Sequence, residues 1–268
     1  MPSRPVERPW GRDRLPPPFT GLAGDGRRIG EIWFEDDATP APDLLVKYLF
    51  TSERLSIQVH PDDAAARAAG YGSGKDEAWL VIDADPDATI GLGLTERTAP
   101  ELLRTAALDG GIEQLVDWRP VKAGDFIYSP AGTIHAIGGG VSLIEIQQNS
   151  DVTYRLYDYG RPRPLHLDQA LEVAQAEPFS PGVGPRDLGG GRRLLASGGA
   201  FVVECWRAGG RIVADREVTL IPLAESTLDG VVAEPGSVWS VRGEARLEGG
   251  EVLIAYLGGG VQTGLRAP

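Results

Sequence analysis

The stretch Val121-Lys-Ala-Gly-Asp-Phe-Ile-Tyr-Ser-Pro-Ala-Gly-Thr-Ile-His-Ala136 decides the fold. It contains a short β-type run at Asp125–Tyr128, then a turn, and then the entry to another strand at His135. Similar runs, mostly bounded by Gly, Pro, Asp or Ser, occur at Leu44–Phe50, Arg54–Val59, Ala78–Ile82, Val141–Gln147 and Val152–Tyr157. Short strands at this spacing predict a sandwich or a barrel, so we expect a mainly β fold.

Composition narrows the class of protein. None of the apolar runs approaches the ~18 residues of a membrane-spanning helix, which predicts a soluble protein. The formal net charge of −12 argues against nucleic acid as a partner, because an acidic chain repels the phosphate backbone. Cys205 is the single cysteine and cannot close an intrachain disulfide, so we expect a cytoplasmic protein.

The 268 residues predict two domains. The segment Glu177–Pro185 contains three prolines and two glycines and is typical of a linker. We therefore expect a catalytic domain over residues 1–180 and a smaller all-β domain over residues 186–268, which has no histidine and hence no metal site. Its predicted strands are Phe201–Arg207, Glu217–Pro222, Ser226–Val232, Val238–Val241 and Val252–Leu257.

Three helical insertions are expected on the first domain. The Ala-rich stretch after His60 predicts one, with Asp62 as its N-cap. Thr98-Ala-Pro-Glu101 has the pattern of a capping box with proline in the first turn, and that helix ends before Gly110. Asp168 is the expected N-cap of the third helix.

The chemistry-bearing residues are few and ordered along the chain. Gln58 and His60 are two residues apart in a predicted strand, so their side chains point to the same face. Glu77 begins the next strand, and His135 follows the turn of the deciding stretch. Two imidazoles, a carboxylate and an amide oxygen facing one interior suit Zn²⁺, and they leave the ion a net charge of +1 with which to polarise an oxygen. His166 matches no ligand position and is expected to be structural or at the surface.

Four strings resemble, in order, the motifs of type I mannose-6-phosphate isomerases in their short bacterial form. The resemblance spans roughly residues 9–175. The strings are Leu55-Ser-Ile-Gln-Val-His-Pro-Asp62, Gly74-Lys-Asp-Glu-Ala-Trp79, the deciding stretch, and Glu145-Ile-Gln-Gln-Asn-Ser-Asp-Val-Thr-Tyr-Arg-Leu-Tyr-Asp158. One departure is that Arg12 follows Trp10-Gly11 where a further glycine is expected.

The resemblance implies a cupin fold, which is a jelly-roll-like β-barrel, carrying helical insertions and followed by a cupin-like C-terminal domain. It implies a zinc-dependent aldose–ketose isomerase that interconverts mannose 6-phosphate and fructose 6-phosphate through a cis-enediol. One Zn²⁺ per chain is then held by Gln58, His60, Glu77 and His135.

By motif position, the resemblance also assigns the remaining site residues. Arg155 matches the catalytic arginine, and its planar fork suits an enediolate with two adjacent oxygens. Lys75 matches a pocket lysine, and Glu145 and Asp151 fall on acidic positions of the last motif. Lys47 and Ser56 match positions near the sugar phosphate.

Two questions stay open at this level. The group that removes the carbon-bound proton is Glu145 if burial raises its pKa, and Lys75 is the alternative. The function itself has two rivals: an isomerase or epimerase for another sugar phosphate, and a metal-loaded sugar-binding cupin without turnover. A monomer and a homodimer are both compatible with the sequence.

Overall fold

The computed structural model of the chain describes residues 1–35, 41–182 and 184–267, and it is mainly β. The first eleven strands are β1 (Ser3–Arg12), β2 (Ile29–Phe34), β3 (Leu44–Phe50), β4 (Ile57–Val59), β5 (Glu77–Ala84), β6 (Thr89–Leu94), β7 (Val116–Pro120), β8 (Phe126–Ser129), β9 (His135–Ile137), β10 (Val141–Gln148) and β11 (Tyr154–Tyr157). The other nine are β12 (Arg186–Gly189), β13 (Arg192–Ser197), β14 (Phe201–Trp206), β15 (Gly210–Pro222), β16 (Ser226–Leu228), β17 (Val231–Ala233), β18 (Trp239–Gly249), β19 (Val252–Leu257) and β20 (Arg266–Ala267). The helices are α1 (Asp63–Ala68), α2 (Pro100–Asp109), α3 (Ile112–Leu115) and α4 (Leu167–Val173).

Two antiparallel sheets form the first part of the chain. One has the strand order β1-β2-β3-β10-β5-β8 and the other β11-β4-β9-β6-β7. Trp79, Val81 and Leu143 from the first sheet share a buried cluster with Ile90 and Leu92 from the second, so the two sheets pack face to face. This is the expected cupin-type arrangement. The hydrogen bonds among the described strands leave two separate sheets rather than one closed barrel.

Helices α2, α3 and α4 cover the outer face of the five-stranded sheet. Leu103 of α2 and Ala170 of α4 are buried against Ile57 and Leu156 of that sheet. The predicted Asp62 cap is confirmed, because its carboxylate accepts a hydrogen bond from the Ala65 amide at 2.8 Å.

The caps predicted for the other two insertions were wrong. Ala99 is the N-cap of α2, since the Thr98 hydroxyl instead donates to the carbonyl of Glu96 at 3.2 Å. His166 is the N-cap of α4, and Asp168 lies inside the helix, where it pairs with Arg104. A cap is set by the backbone angles at which the chain enters the helix, which residue type alone does not specify.

The nine strands from residue 186 onward form a third sheet, and we call this part the C-terminal unit (residues 186–267). The predicted strand Ser226–Val232 is instead two strands, β16 and β17, joined at Asp229-Gly230. Both joining residues have positive φ, 50° and 78°, as a two-residue hairpin turn requires.

A buried apolar layer joins the C-terminal unit to the six-stranded sheet. Phe201, Ile221 and Leu253 of the unit lie in one cluster with Val46 and Ile146. The unit also has a second cluster of its own around Trp206 and Ile254. The division of the chain into two domains near residues 180–186 remains a prediction. Among the described helices none combines the length and apolarity needed to cross a bilayer.

Candidate metal centre and sugar-phosphate cavity

The expected metal ligands come from both sheets of the sandwich. Gln58 lies in β4 opposite His135 at the start of β9, and His60 directly follows β4. Glu77 begins β5 in the facing sheet. The Gln58 amide nitrogen lies 3.4 Å from His60 Nε2 and 3.3 Å from His135 Nε2. The structure therefore brings all four side chains, which we call the ligand group, to one point between the sheets.

Both imidazoles turn the same nitrogen toward this point. His60 Nδ1 lies 2.9 Å from the carbonyl oxygen of Val152, and His135 Nδ1 lies 2.9 Å from that of Thr133. A carbonyl only accepts, so each Nδ1 carries the proton and each Nε2 presents a lone pair to the ligand group. Backbone contacts of this kind fix the tautomer and the ring orientation of histidines that bind metals.

The carboxylate of Glu77 faces these lone pairs. Its Oε1 lies 3.3 Å from His60 Nε2, and its Oε2 lies 3.3 Å from His135 Nε2. Among the described residues no hydrogen-bond donor reaches the buried Oε2 atom. His60, Glu77 and His135 form a buried group that can hold a metal ion, and a cation at this point would satisfy both the lone pairs and the orphaned oxygen. The residues thus fit a divalent metal.

The charge states agree with this donor set. Burial, reinforced by Lys75, lowers the pKa of His60 to about 3, and burial also lowers the pKa of His135. For Glu77, burial opposes ionisation, but the charge of Lys75 outweighs it and holds the pKa of Glu77 well below the usual range. Two neutral imidazoles and an ionised carboxylate are the protonation states in which these groups bind metals.

A second row of charged groups lies beside the ligand group. Lys75 Nζ is 3.0 Å from Glu77 Oε1. Lys47 Nζ is 3.4 Å from Glu145 Oε1 and donates to Gln147 Oε1 at 2.7 Å. Burial and the charge of Glu77 raise the pKa of Glu145. Burial disfavours the ammonium of Lys75, but Glu77 and Glu145 outweigh it and raise the pKa of that lysine.

All ten expected site residues except His60 line one cavity of about 420 Å³. Ser56 donates its hydroxyl hydrogen to Gln58 Oε1 at 3.0 Å, and Asp151 is exposed at the opening. Arg155 Nε is buried without a hydrogen-bond partner among the described residues. Burial and the neighbouring Arg163 lower the pKa of Arg155, which still leaves it a cation at neutral pH.

Two arginines of this cavity were missed by sequence reasoning. Arg163 and Arg8 both line it and both act electrostatically on Arg155. The carboxylate of Asp158 holds Arg163 through two hydrogen bonds of 2.6 Å, and Arg8 pairs with Glu31 at 2.7 Å. Arg8 belongs to β1 and lies outside the four motifs, so no motif position identified it as a site residue. Arg163 lies shortly after the last motif, so listing the arginines near that motif would have identified it as a candidate.

His166 and Cys205 lie outside the ligand group. His166 Nδ1 accepts a hydrogen bond from the Arg155 amide at 3.2 Å, and its own amide donates to the Arg155 carbonyl at 2.8 Å. It is therefore a structural neighbour of Arg155. The buried Cys205 thiol donates to Glu251 Oε1 at 3.0 Å, and burial raises the pKa of the thiol to about 12.

Comparison with known proteins gives the class of this fold and site. No family model matches the chain. A mannose-6-phosphate isomerase from Streptococcus mutans is 46% identical over 136 residues, which are 48% of this chain and 43% of that protein. Mannose-6-phosphate isomerase ManA from Bacillus subtilis is 42% identical over 166 residues, 56% of this chain and 51% of that protein. The chain spans about half the length of the curated relatives it matches.

Solved structures cover the chain more completely. The mannose 6-phosphate isomerase of Bacillus subtilis has a TM-score of 0.78 and 27% identity, over 95% of this chain and 97% of that one. The fold is shared by a putative mannosephosphate isomerase of Archaeoglobus fulgidus, with a TM-score of 0.72, 19% identity and 96% of both chains covered. The protein is a cupin with a candidate metal centre. More particularly, its fold matches that of the Bacillus subtilis mannose 6-phosphate isomerase, and about half of its sequence is similar to curated mannose-6-phosphate isomerases, in agreement with the four motifs.

Proposed function

We propose that the chain is a zinc-dependent aldose–ketose isomerase that interconverts mannose 6-phosphate and fructose 6-phosphate through a cis-enediol. The observation that carries this proposal is that two residues lining one cavity, Glu77 and Arg155, each have a buried polar atom without a hydrogen-bond partner among the described residues. In Glu77 this atom is Oε2, which faces the lone pair of His135, and in Arg155 it is Nε. A site with open positions for a cation and for an anionic substrate suits an isomerase of sugar phosphates.

Gln58, His60, Glu77 and His135 would hold one Zn²⁺ per chain. Nitrogen and oxygen donors without cysteine are typical of catalytic rather than structural zinc sites. When bound, the ion would supply a Lewis acid that polarises a substrate oxygen. The Gln58 amide has the same outline in both of its orientations, so its oxygen can face the imidazoles in place of its nitrogen.

Arg155 would stabilise the negative charge that develops on the two adjacent oxygens of the enediolate. Its guanidinium is charged throughout and offers two parallel N–H donors, which match an O–C–C–O edge. Arg155 lines the cavity, and its buried Nε has no partner among the described residues, so a substrate that binds the guanidinium would not displace a hydrogen bond of that nitrogen. Donors that are already in place cost no reorganisation during the reaction.

Isomerisation needs a base for the C2 proton, a route for a proton between O2 and O1, and an acid that returns a proton to C1. We assign the carbon proton transfers to Glu145, because its raised pKa suits a carboxylate that must both accept and release a proton. Lys75 stays an ammonium beside Glu77, and this suits a hydrogen-bond donor to the sugar oxygens better than a base.

Lys47, Ser56 and Asp151 are proposed as contacts of the sugar phosphate, since all three line the cavity. Arg163 and Arg8 add to the positive charge around Arg155 at the same cavity. Three guanidiniums close together repel one another, and the dianionic phosphate of the substrate would offset that repulsion. The protein is proposed to act in the cytoplasm as a monomer or homodimer, with no nucleic-acid partner.

The test is a coupled assay of fructose 6-phosphate formation from mannose 6-phosphate on the purified protein. It is run as isolated, after chelation, and after Zn²⁺ is restored. We expect turnover that chelation abolishes and zinc restores. The variant His135→Ala is expected to lose bound metal and turnover together. Turnover should fall at least about 100-fold, which is more than the usual effect of removing a residue that only hydrogen-bonds to a metal ligand. Metal content measured on the same samples separates loss of metal from loss of folding.

Two outcomes would contradict the proposal. If the zinc-loaded protein converts another sugar phosphate and not mannose 6-phosphate, the chemistry stands and the substrate is wrong. If it binds sugar phosphates without converting any, the protein is a binding cupin. To distinguish the two outcomes, the protein is incubated with a panel of aldose 6-phosphates and exchange of the C2 proton with solvent is measured. Exchange requires a working base, so it indicates an isomerase for another substrate, and its absence indicates a binding protein.

A further inference from the structure

Asp76 lies between Lys75 and Glu77 but does not face the cavity. Its buried carboxylate accepts a hydrogen bond from the Tyr128 hydroxyl at 2.6 Å through Oδ2, and from the Ala131 amide at 2.8 Å through Oδ1. Its own amide donates to Gln148 Oε1 at 3.0 Å. Asp76 therefore ties the segment that carries Glu77 to the turn between β8 and β9.

That turn controls the two histidines of the ligand group. Ala131 is followed by Gly132, whose amide donates to the His60 carbonyl at 2.8 Å. Next comes Thr133, whose carbonyl oxygen holds His135 Nδ1. A shift of the turn would move both imidazoles relative to Glu77. The distances within the ligand group thus depend on a hydrogen-bond network that Asp76 connects.

Tyr128 reaches Asp76 from a position packed against the C-terminal unit. Its ring lies 5.1 Å from that of Phe201, centroid to centroid. A Cβ atom added to Gly198 would lie 1.9 Å from Tyr128 Cζ, so the glycine is what lets the backbone of the β13–β14 turn lie against the ring. The backbone amides of Ala200 and Phe201 also face the Tyr128 oxygen.

We propose that Tyr128 is a positioning residue through which the β13–β14 turn of the C-terminal unit sets the geometry of the ligand group. The unit contributes none of the residues of the metal-binding group found in the described part of the chain. Its contribution is instead to hold other residues in position. The unit orients the Tyr128 hydroxyl, and that hydroxyl orients the Asp76 carboxylate. Asp76 in turn positions Glu77 and the turn before His135. The inference rests on the metal site of the proposed function, but not on the reaction or the substrate.

The physical argument is one of orientation. A carboxylate with two short hydrogen bonds has little freedom to rotate, and its neighbours in the chain inherit that restraint. Groups behind the ligands typically change metal affinity or activity by about 10–100-fold when they are removed. Tyr128 differs from an ordinary core residue because its ring packs on one part of the chain while its hydroxyl serves the other.

The test compares Tyr128→Phe with Tyr48→Phe. Both substitutions remove one tyrosine hydroxyl at the contact between the sheet and the C-terminal unit, but the Tyr48 hydroxyl faces the backbone of Gly236 and not Asp76. Metal-free wild type and both variants are titrated with Zn²⁺ against a chromophoric chelator. We expect Tyr128→Phe to weaken zinc binding about 10-fold, the low end of the effect of groups that touch metal ligands directly, because Tyr128 acts through Asp76. Tyr48→Phe is expected to bind zinc as the wild type does.

Hydrogen exchange of the metal-free proteins provides a readout independent of zinc. The amides of Ala131 and Asp76 are expected to exchange faster in Tyr128→Phe than in the wild type, with Tyr48→Phe again unchanged. Equal zinc affinity and equal exchange in the two variants would overturn the proposal. If the wild type itself binds no zinc, the proposed metal site fails, while the exchange experiment still decides the role of Tyr128.

A second variant covers the case in which Tyr128→Phe does not fold. Gly198→Ala leaves the tyrosine in place and pushes on its ring from the C-terminal unit, through the collision described above. We expect weaker zinc binding of the same order. Gly199→Ala is the matched control, since a Cβ atom there meets open space. Equal affinities in these two variants would contradict a role for the turn.

Discussion

The two halves of the molecule each bury a cluster of charged side chains, and the clusters differ in whether they are complete. In the C-terminal unit, the carboxylate of Glu204 accepts hydrogen bonds from Arg192 Nε, Arg192 Nη2, Trp206 and Tyr256, at 2.8, 2.7, 2.8 and 2.6 Å. Arg192 also donates to the carbonyl of Gln262 at 2.9 Å. Both oxygens of the carboxylate are therefore satisfied by the protein itself.

In the cavity of the first part, the same kinds of groups are left incomplete. Glu77 Oε2 and Arg155 Nε are buried, and the described residues give neither a hydrogen-bond partner. An unsatisfied buried polar atom costs about 1–3 kcal/mol, so folding gains nothing from these positions. The difference shows two uses of buried polar groups. A network in which every polar atom has a partner stabilises the fold, whereas one with unpaired atoms is suited to bind a metal ion or a substrate that supplies the missing partner.

The largest effect expected from this comparison is on catalysis, with Arg155→Ala. Removing a donor that acts only on the developing charge should lower kcat about 10²–10³-fold. Bound metal and melting temperature should stay at their wild-type values, because the guanidinium Nε has no protein partner to lose among the described residues. Steady-state kinetics, metal content and thermal melting test the three parts.

Arg155→Lys sharpens this result, because it keeps the charge and removes the planar fork. We expect its kcat to remain well below that of the wild type, since an ammonium is a point charge that cannot match two adjacent oxygens. Near-normal kcat in Arg155→Ala would exclude the residue from the mechanism. A loss of metal in that variant would instead assign it to the metal centre.

The opposite pattern is expected for Glu204→Gln. The variant removes the charge that Arg192 pairs with and turns one acceptor oxygen into a donor facing other donors. We expect the free energy of unfolding to fall by about 2 kcal/mol, in the range for hydrogen bonds to charged groups, with kcat unchanged. Urea denaturation and the coupled assay measure the two. A fall in kcat without a fall in stability would break the contrast between the two clusters.

A smaller effect is expected from pH on the metal-free protein. Burial keeps His60 and His135 neutral when folded, with the pKa of His60 at about 3, while the unfolded chain takes up these protons near pH 6.5. The unfolded state then binds more protons below pH 6.5, so stability falls as the pH drops from 6.5 toward 3. Between pH 6.5 and 5.5 His60 should remove about 1 kcal/mol, and His135 should add to the loss in the same direction.

Urea unfolding of the chelated protein at pH 7.5, 6.5 and 5.5 measures this loss. Glu204→Gln is a suitable control, because its network contains no histidine and the pH dependence should be that of the wild type. An unfolding midpoint that stays constant across this range would show that the histidines are not buried as neutral groups. Zinc should raise the stability at each pH without reducing this loss, because the folded imidazoles are already neutral over this range and the protons are taken up by the unfolded chain.

The strands were predictable where apolar β-type runs are bounded by turn residues. Leu44–Phe50 and Val252–Leu257 occur with the predicted bounds, and the Asp62 cap was also correct. The caps at Thr98 and Asp168 were wrong, because several residues near each helix start are able to cap and the approach of the chain selects among them. The dipeptide Asp229-Gly230 is itself a hairpin-turn signal, and it divides the predicted strand Ser226–Val232 into β16 and β17.

The sequence by itself determined the class of fold and the order of the candidate metal ligands along the chain, since strand periodicity and the motif strings are local properties of the chain. It did not contain the convergence of Arg8 and Arg163 on Arg155, or the contact of Tyr128 with both Asp76 and Phe201. Apart from the pair Arg155 and Arg163, these contacts join segments far apart in the chain, and only the packing of three sheets brings them together. Local spacing specifies which groups are available, but tertiary packing decides which of them are left unsatisfied.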